Sequence, residues 1–344
     1  MGTEYATCRG RSRLVLLPDR SPSFIGCLLG LALGDAFGAP FEGGPLERGL
    51  WRLIGSTPDG RLRWTDDTQM SLDLAESLIA CRRVDQDDIA RRFARGYHWS
   101  RGYGPGAARV LKLIRRGVDW RTANTRVFRS GSFGNGGAMR APVVGLFCSS
   151  KLDSLAAHAR ETAIITHAHP LGQDGAVLVA LTTALALNHH APAEILDALL
   201  AHSQQDLLRR RLLVAKSWLT RDLPSPDEVR SRLGTGVAAS DSCVTAIYIA
   251  LAFLDAPFER MLDFVAACRG DVDTIGAMAG AVWGARNGVS ALPDDKVDRL
   301  EDPERLRQVA EDLLRFTPPP SNSATGIAVR DVFPQPRPTQ LPTR

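Results

Sequence analysis

The chain has 344 residues, 44% hydrophobic and 6% aromatic, with 42 Lys and Arg against 38 Asp and Glu. That supplies enough apolar material for one large core and excludes a chain too polar to fold. The net charge of +4 resides in the ends, because residues 1–20 and 317–344 carry +2 each; the neutral body holds no basic run interleaved with aromatics that would mark a nucleic-acid surface.

Cys8, Cys27, Cys81, Cys148, Cys243 and Cys268 form no C-x-x-C pair, so a thiolate zinc centre is not expected and most of them read as core thiols. The apolar run Leu14–Leu17 is cut short by Pro18 and Asp19, unlike a secretory signal, and no stretch reads as a membrane span. The expectation is a cytoplasmic protein with no membrane partner.

In chain order, residues 1–22 read as an extension, 23–316 as one folded domain and 317–344 as a Pro-rich tail. Gly26, Gly30, Gly34 and Gly38 recur every fourth residue, and Gly276, Gly280, Gly284 and Gly288 repeat the rhythm. Such spacing lies close to one helix face. Each interior glycine weakens a helix by about 1 kcal/mol, which a close backbone crossing can offset. Two central helices with small faces are therefore expected, with a glycine-rich loop as the alternative for the first stretch.

Pro40 should end the first of these helices. Met70, Leu74 and Leu78 set a helical period after residue 68. Segments 87–97, 105–116, 151–165, 173–188, 191–218, 241–254, 258–268 and 302–315 also read as helices, with 191–218 long enough for two. Residues 219–235, polar and carrying two prolines, read as a loop. Strand alternation is weak throughout, so the expected class is all-α.

Two acidic clusters stand out, Thr65-Asp66-Asp67-Thr68 and Asp271-Val272-Asp273-Thr274. Asp66 would serve as a helix cap with Gln69 three residues on, but one carboxylate suffices for a cap. Asp271 and Asp273 would face one side of a locally extended chain, with Val272 turned into the core. Crowded carboxylates and hydroxyls suit hard divalent cations, and ligands from remote segments suit a site assembled between helices. Asp35 lies in an apolar segment and either bonds to the start of another element or supports the site; Glu42 follows Pro40, either exposed or placed to orient water.

The loop Ser130–Arg140 contains four glycines, with Ser132 and Asn135 as polar handles and Phe133 as a stacking surface. It suits a phosphate nest, although it is neither a P-loop nor a Rossmann fingerprint and a flexible turn is the alternative. In Thr166-His167-Ala168-His169-Pro170, His167 is the candidate for contact with substrate or phosphate and His169 is ordinary, with a plain core or surface histidine as the alternative. Asp241 is either a cap or part of a pocket rim.

Taken together, GCLLGLALGDAFGAPFE, WTDDTQM, GSFGNGGAMR, THAHP, LGTGVAASDS and GDVDTIGAMAGAVWG, spanning residues 26–284, resemble the ADP-ribosylglycohydrolase family, which includes the dinitrogenase reductase-activating glycohydrolases. The resemblance implies an all-α, orthogonally packed single-domain bundle with two Mg²⁺ or Mn²⁺ ions, cleaving ADP-ribose from a protein side chain or small acceptor. It implies metal ligands at Thr65, Asp66, Asp67, Asp271, Asp273 and Thr274, with Glu42, Asp67 and Asp273 catalytic. It also implies substrate contacts from Asp35, Ser132, Phe133, Gly134, Asn135, Gly136, His167 and Asp241. Glu42 and the Gly-Asn-Gly-Gly loop point to the branch acting on serine-linked ADP-ribose. Arginine-linked, O-acyl, poly-ADP-ribose and nucleic-acid-linked substrates stay open. So does a binding or immunity protein whose N-terminal extension blocks a toxin or transferase partner. Arg269 replaces a common Gly and Val272 a common Thr, and both bear on the shape of the second acidic loop.

Overall fold

The computed structural model describes residues 19–41, 49, 51 and 54–317. In chain order its helices are α1 (Ser21–Gly38), α2 (Asp66–Cys81), α3 (Gln86–Gly96), α4 (Pro105–Arg115), α5 (Trp120–Val127), α6 (Ala141–Phe147), α7 (Leu155–Ala163), α8 (Pro170–Leu187), α9 (Pro192–His202), α10 (Asp206–Trp218), α11 (Pro226–Leu233), α12 (Ala239–Ala252), α13 (Phe258–Cys268), α14 (Val272–Asn287), α15 (Asp294–Asp298) and α16 (Pro303–Phe316). Among the described residues there are isolated β-bridges and no strand. The class is all-α, as the periodicity implies, with the orthogonal packing that the family resemblance implies.

α1 and α14 form the centre. Gly26, Gly30 and Gly34 face Gly284, Gly280 and Gly276 so closely that the carbonyl of each is in the partner's way. A Cβ on Gly26 would sit 2.5 Å from the Gly284 oxygen, and one on Gly276 would sit 2.7 Å from that of Gly34. At the end of the row, a Cβ on Gly38 would overlap the backbone of Val272 and Asp273. The two helices thus touch along their whole length, and the C-terminal end of α1 meets the first turn of α14.

Around this pair, α8 is buried along most of its length and packs against α6, α7, α12 and α14, while α16 covers α1 and α2. Ser21–Phe41 and Pro170–Leu187 are long and apolar enough to cross a membrane, but 83% of the most apolar 18-residue window of each is buried inside the bundle, so both are core helices here. Cys27, Cys148, Cys243 and Cys268 are buried thiols and Cys81 is half-buried; all are unbridged.

The loop expected over 219–235 is corrected: residues Pro226–Leu233 are helical. Ser225 caps this helix by accepting from the Glu228 amide, and Pro226 takes the first helical position, where its missing N–H costs nothing. The prolines that read as loop formers are a helix start. Segment 191–218 is indeed two helices, split at Ser203–Gln205. There Asp174, fully buried on α8, accepts from the Ser203 hydroxyl and the amides of Gln204 and Gln205, and pairs with Arg160.

Replacing Gly280 by Ala would raise helix propensity by about 1 kcal/mol yet drive a methyl into the Gly30 carbonyl. Because two backbones rather than side chains must separate, the net effect should be a loss of about 3 kcal/mol or more, read as a lower urea midpoint. A neutral or stabilising G280A variant would show that the helices are not in backbone contact.

Candidate functional site

The first acidic cluster is the opening turn of α2. The cap is Thr65, not Asp66 as the spacing suggested: its hydroxyl accepts from the Asp67 amide at 3.3 Å, and Asp66 occupies the first helical position. Gln69 does not close a capping box but donates to Asp73 at 2.9 Å. The turn is held by Asp35 of α1, which is fully buried. Its carboxylate accepts from the Thr65 amide, the Thr68 amide (both at 3.0 Å) and the Thr68 hydroxyl at 2.6 Å. Burial pushes the Asp35 pKa up to about 6 while these donors oppose the rise. Of the two readings of Asp35, bonding to the start of another element is the one observed.

The second cluster is the opening turn of α14. Asp271 precedes the helix with φ −83° and ψ 67°, so the locally extended chain is corrected to a helix start, with Asp273 inside the first turn accepting from the Thr274 amide. Val272 is buried as expected. Asp271 is held twice: its amide donates to the Thr235 carbonyl at 2.8 Å, and its carboxylate accepts from the Asn135 side chain at 2.5 Å. Asn135 also donates to Ser242 at 3.0 Å. Its side-chain amide thus serves to position Asp271.

Gly270 has φ +87°, and a Cβ there would overlap Thr235. Arg269 has φ 60° and ψ −172°, a region essentially restricted to glycine. The departure noted in the sequence therefore falls where the backbone conformation itself calls for glycine.

Asp35 and Gly38 lie within one turn of α1 and touch the first turns of α2 and α14 respectively. Thr65, Asp67, Asp271, Asp273 and Thr274 are buried and Asp66 is half-buried. The oxygen donors at this junction are carboxylates and hydroxyls. Among the described residues, no three carboxylate, His or Cys side chains already form a metal-holding group. The donors are instead divided between two helix starts and include threonines, a chemistry that fits hard divalent cations.

Beside the second cluster lies the glycine loop. It is pinned to segment 234–239: the Asn135 amide donates to Val237 and the Ala239 amide donates to Phe133. Two amides expected to face a phosphate are therefore engaged internally, that of Asn135 and that of Gly134, which donates to the Ser132 hydroxyl. The His167 ring lies against this loop, and a Cβ on Gly134 or Gly136 would stand 3.2 or 2.9 Å from its Nε2. Burial, reinforced by the charge of Arg140, pulls the His167 pKa down to about 3, so the ring is neutral. His169 caps α8 through Nδ1 and meets Phe133 edge-on at 5.9 Å. Phe133 itself is 55% exposed. Asp241 sits on the first turn of α12 beside Gly234 and Gly236, paired with Arg211 at 2.6 Å and so not a free acid at the rim. Glu42 lies outside the described residues, as does the N-terminal extension through residue 18.

The wall at the first cluster was missed from the sequence. Arg101 donates to the Trp64 carbonyl at 2.7 Å, forms a two-pronged pair with Glu301 at 2.6 and 2.8 Å, and stacks on the Trp64 ring at 3.8 Å, which locks the residue before Thr65. Gly102, with φ +81°, leaves 3.8 Å between its Cβ position and both Thr65 and Asp66. Next to it, the buried Tyr103 hydroxyl lacks a hydrogen-bond partner among the described residues and feels the charges of Asp66 and Asp73. The G-x-G spacing of Gly102-Tyr103-Gly104 was the available signal, overshadowed by the helix that begins at Pro105.

A family model described as ADP-ribosylglycohydrolase matches residues 17–322. The chain belongs to the ADP-ribosylglycohydrolase family. It is accordingly an enzyme of that glycohydrolase class. It is 34% identical to the ADP-ribosylhydrolase ARH3 of Danio rerio over 87% of this chain and 95% of that protein. The ARH3 of Mus musculus is 35% identical over 85% and 91%. An ADP-ribosylglycohydrolase-related protein complex shares its fold with a TM-score of 0.65 at 27% identity, covering 88% of this chain and all of that one.

Two features of this ADP-ribosylglycohydrolase yield stability tests. Arg269→Gly should relieve backbone strain and raise stability by about 1 kcal/mol, measured by thermal melting; a lower melting temperature would mean that the arginine side chain outweighs the strain. Asp73, buried with one carboxylate oxygen unpartnered among the described residues, has its pKa pushed up to about 7 by burial. From about pH 4, where an unfolded Asp ionises, to about pH 7 the folded chain binds the extra proton, so stability falls as pH rises. Asp73→Asn should flatten that fall and gain on the order of 3 kcal/mol at pH 8. Parallel pH profiles of wild type and variant would contradict it.

Proposed function

We propose that the chain hydrolyses the glycosidic bond between ADP-ribose and a protein side chain, with serine as the acceptor, in a reaction dependent on two divalent cations, Mg²⁺ or Mn²⁺. The observation that carries this reading is the meeting of two oxygen-rich helix starts at one end of α1, beside a glycine loop backed by a neutral histidine. The matches to ADP-ribosylhydrolase ARH3 proteins over most of their length favour hydrolysis of an ADP-ribosyl bond, and the resemblance of Glu42 and the Gly-Asn-Gly-Gly loop to the serine branch favours the serine acceptor.

Thr65, Asp66, Asp67, Asp271, Asp273 and Thr274 would hold the cations, which when bound orient ribose hydroxyls and polarise water. Asp35 keeps the α2 turn in place, so that Thr65 and the two aspartates stay fixed to α1. Asn135 and Thr235 do the same for Asp271. Carboxylates at this junction stabilise the positive charge that develops on the ribose as the bond breaks. The Ser132–Gly136 loop and His167 receive the diphosphate, and Phe133 offers an exposed ring face to the adenosine side. Asp241, paired with Arg211, shapes the rim. Glu42 is assigned as the base that takes the proton of the attacking water.

ADP-ribose release from serine-, arginine-, O-acyl- and nucleic-acid-linked substrates, with and without EDTA, tests the reading. Release should be fastest from the serine adduct and lost with EDTA, and Asp273→Asn should lower kcat by roughly a hundredfold or more while melting like wild type. Undiminished turnover in EDTA or by D273N would remove the metal assignment; faster release from another adduct would change the acceptor.

A further inference from the structure

Arg140 is fully buried, and its hydrogen bonds among the described residues go to two carbonyls and a hydroxyl. Nη1 donates to the Gly136 carbonyl, and Nη2 donates to the Thr162 carbonyl at 3.0 Å and to the Thr166 hydroxyl at 2.9 Å. Its guanidinium lies 4.7 Å from the centre of the Phe93 ring, a cation–π contact. Asp66 provides the nearby opposite charge, which resists the downward pull of burial on the Arg140 pKa, to about 9.

The Thr166 hydroxyl also lies 2.8 Å from Nδ1 of His167. Two proton arrangements are available. If His167 carried its proton on Nδ1, the Thr166 oxygen would accept from both Arg140 and His167. Its own proton would then have no acceptor among the bonds this buried side chain makes, at a cost of about 1–3 kcal/mol. If Thr166 donates to Nδ1, the Thr166 hydroxyl and Nδ1 are both satisfied, while the buried Arg140 Nε is without a partner among the described residues in either arrangement; the imidazole proton must then sit on Nε2 of His167. That nitrogen faces Gly134 and Gly136, where the missing Cβ atoms leave its edge uncovered.

We propose that Arg140 and Thr166 are positioning residues that fix His167 as the Nε2–H tautomer, a neutral donor aimed across the Gly134–Gly136 loop at an anionic oxygen of the ligand. The identity of that oxygen as phosphate rests on the functional reading above; the tautomer does not. Arg140 has a double part, since the same guanidinium that turns the Thr166 proton towards His167 also holds the Gly136 carbonyl. Loop and histidine are thereby kept in register. Lowered basicity suits this role: a ring that stays neutral presents one donor in one direction, rather than a charge that changes with pH.

The test uses the full chain labelled with ¹⁵N-histidine, without substrate, and long-range ¹H–¹⁵N correlation to read which ring nitrogen carries the proton. The His167 signals are assigned by their loss in His167→Gln. Wild type should show protonated Nε2 and bare Nδ1. Thr166→Val keeps the shape of the side chain but removes the hydroxyl; it should lose this single-tautomer pattern and weaken ADP-ribose binding about tenfold, with kcat changed far less than KM. Thr166→Ser should restore both. A wild-type Nδ1–H signature, or a T166V variant with unaltered tautomer and affinity, would overturn the relay. Wild type with the expected tautomer but no affinity for ADP-ribose would instead overturn the functional reading and the donor's assigned target.

Discussion

The contact between α1 and α14 is a meeting of main chains. At Gly26, Gly30, Gly34, Gly276, Gly280 and Gly284 the atom nearest an added Cβ is a carbonyl oxygen of the other helix, so no side chain is available to absorb an added methyl by changing rotamer. This makes the separation of the two helices nearly invariant. It also explains why residues of poor helix propensity occupy the centre of a helical protein: the close approach substitutes dispersion and backbone contact for side-chain burial.

Function depends on that rigidity because α1 ends at the junction. Asp35 reaches the first turn of α2 through hydrogen bonds, and Gly38 reaches the first turn of α14 through direct backbone contact. Two segments about two hundred residues apart are thereby referenced to one turn of one helix. The helix starts favour negative charge, which eases the gathering of several carboxylates. The remaining supports come from side: Arg101 and Glu301 steady the residue before Thr65, and Asn135 with Thr235 steadies Asp271.

The neutral half of the site is built on the same pattern of one residue serving two partners. Asn135 joins the glycine loop to Asp271, and Arg140 joins that loop to Thr166 and hence to His167. Loop position, histidine orientation and acidic cluster are consequently not independent. Strain is accepted in the same region: Arg269 holds a backbone conformation suited to glycine immediately before Gly270 and Asp271.

Much of this was legible in the sequence because its signals are local and periodic. Four-residue glycine spacing reports a helix face, and hydroxyls beside paired aspartates report a helix start with more carboxylates than a cap needs. The same local reading misassigned Pro226, since proline marks a helix's first turn as readily as a loop, and it chose Asp66 over Thr65 because both are good caps. What only tertiary structure decided is which groups are already spoken for. Asn135 and Asp241 look available as residue types, but their partners Asp271 and Arg211 come from remote segments of the chain. Arg101, Tyr103 and Thr166 had no local signal of comparable strength, because hydrogen bonds and charges act through space and a linear chain does not show which groups will be neighbours.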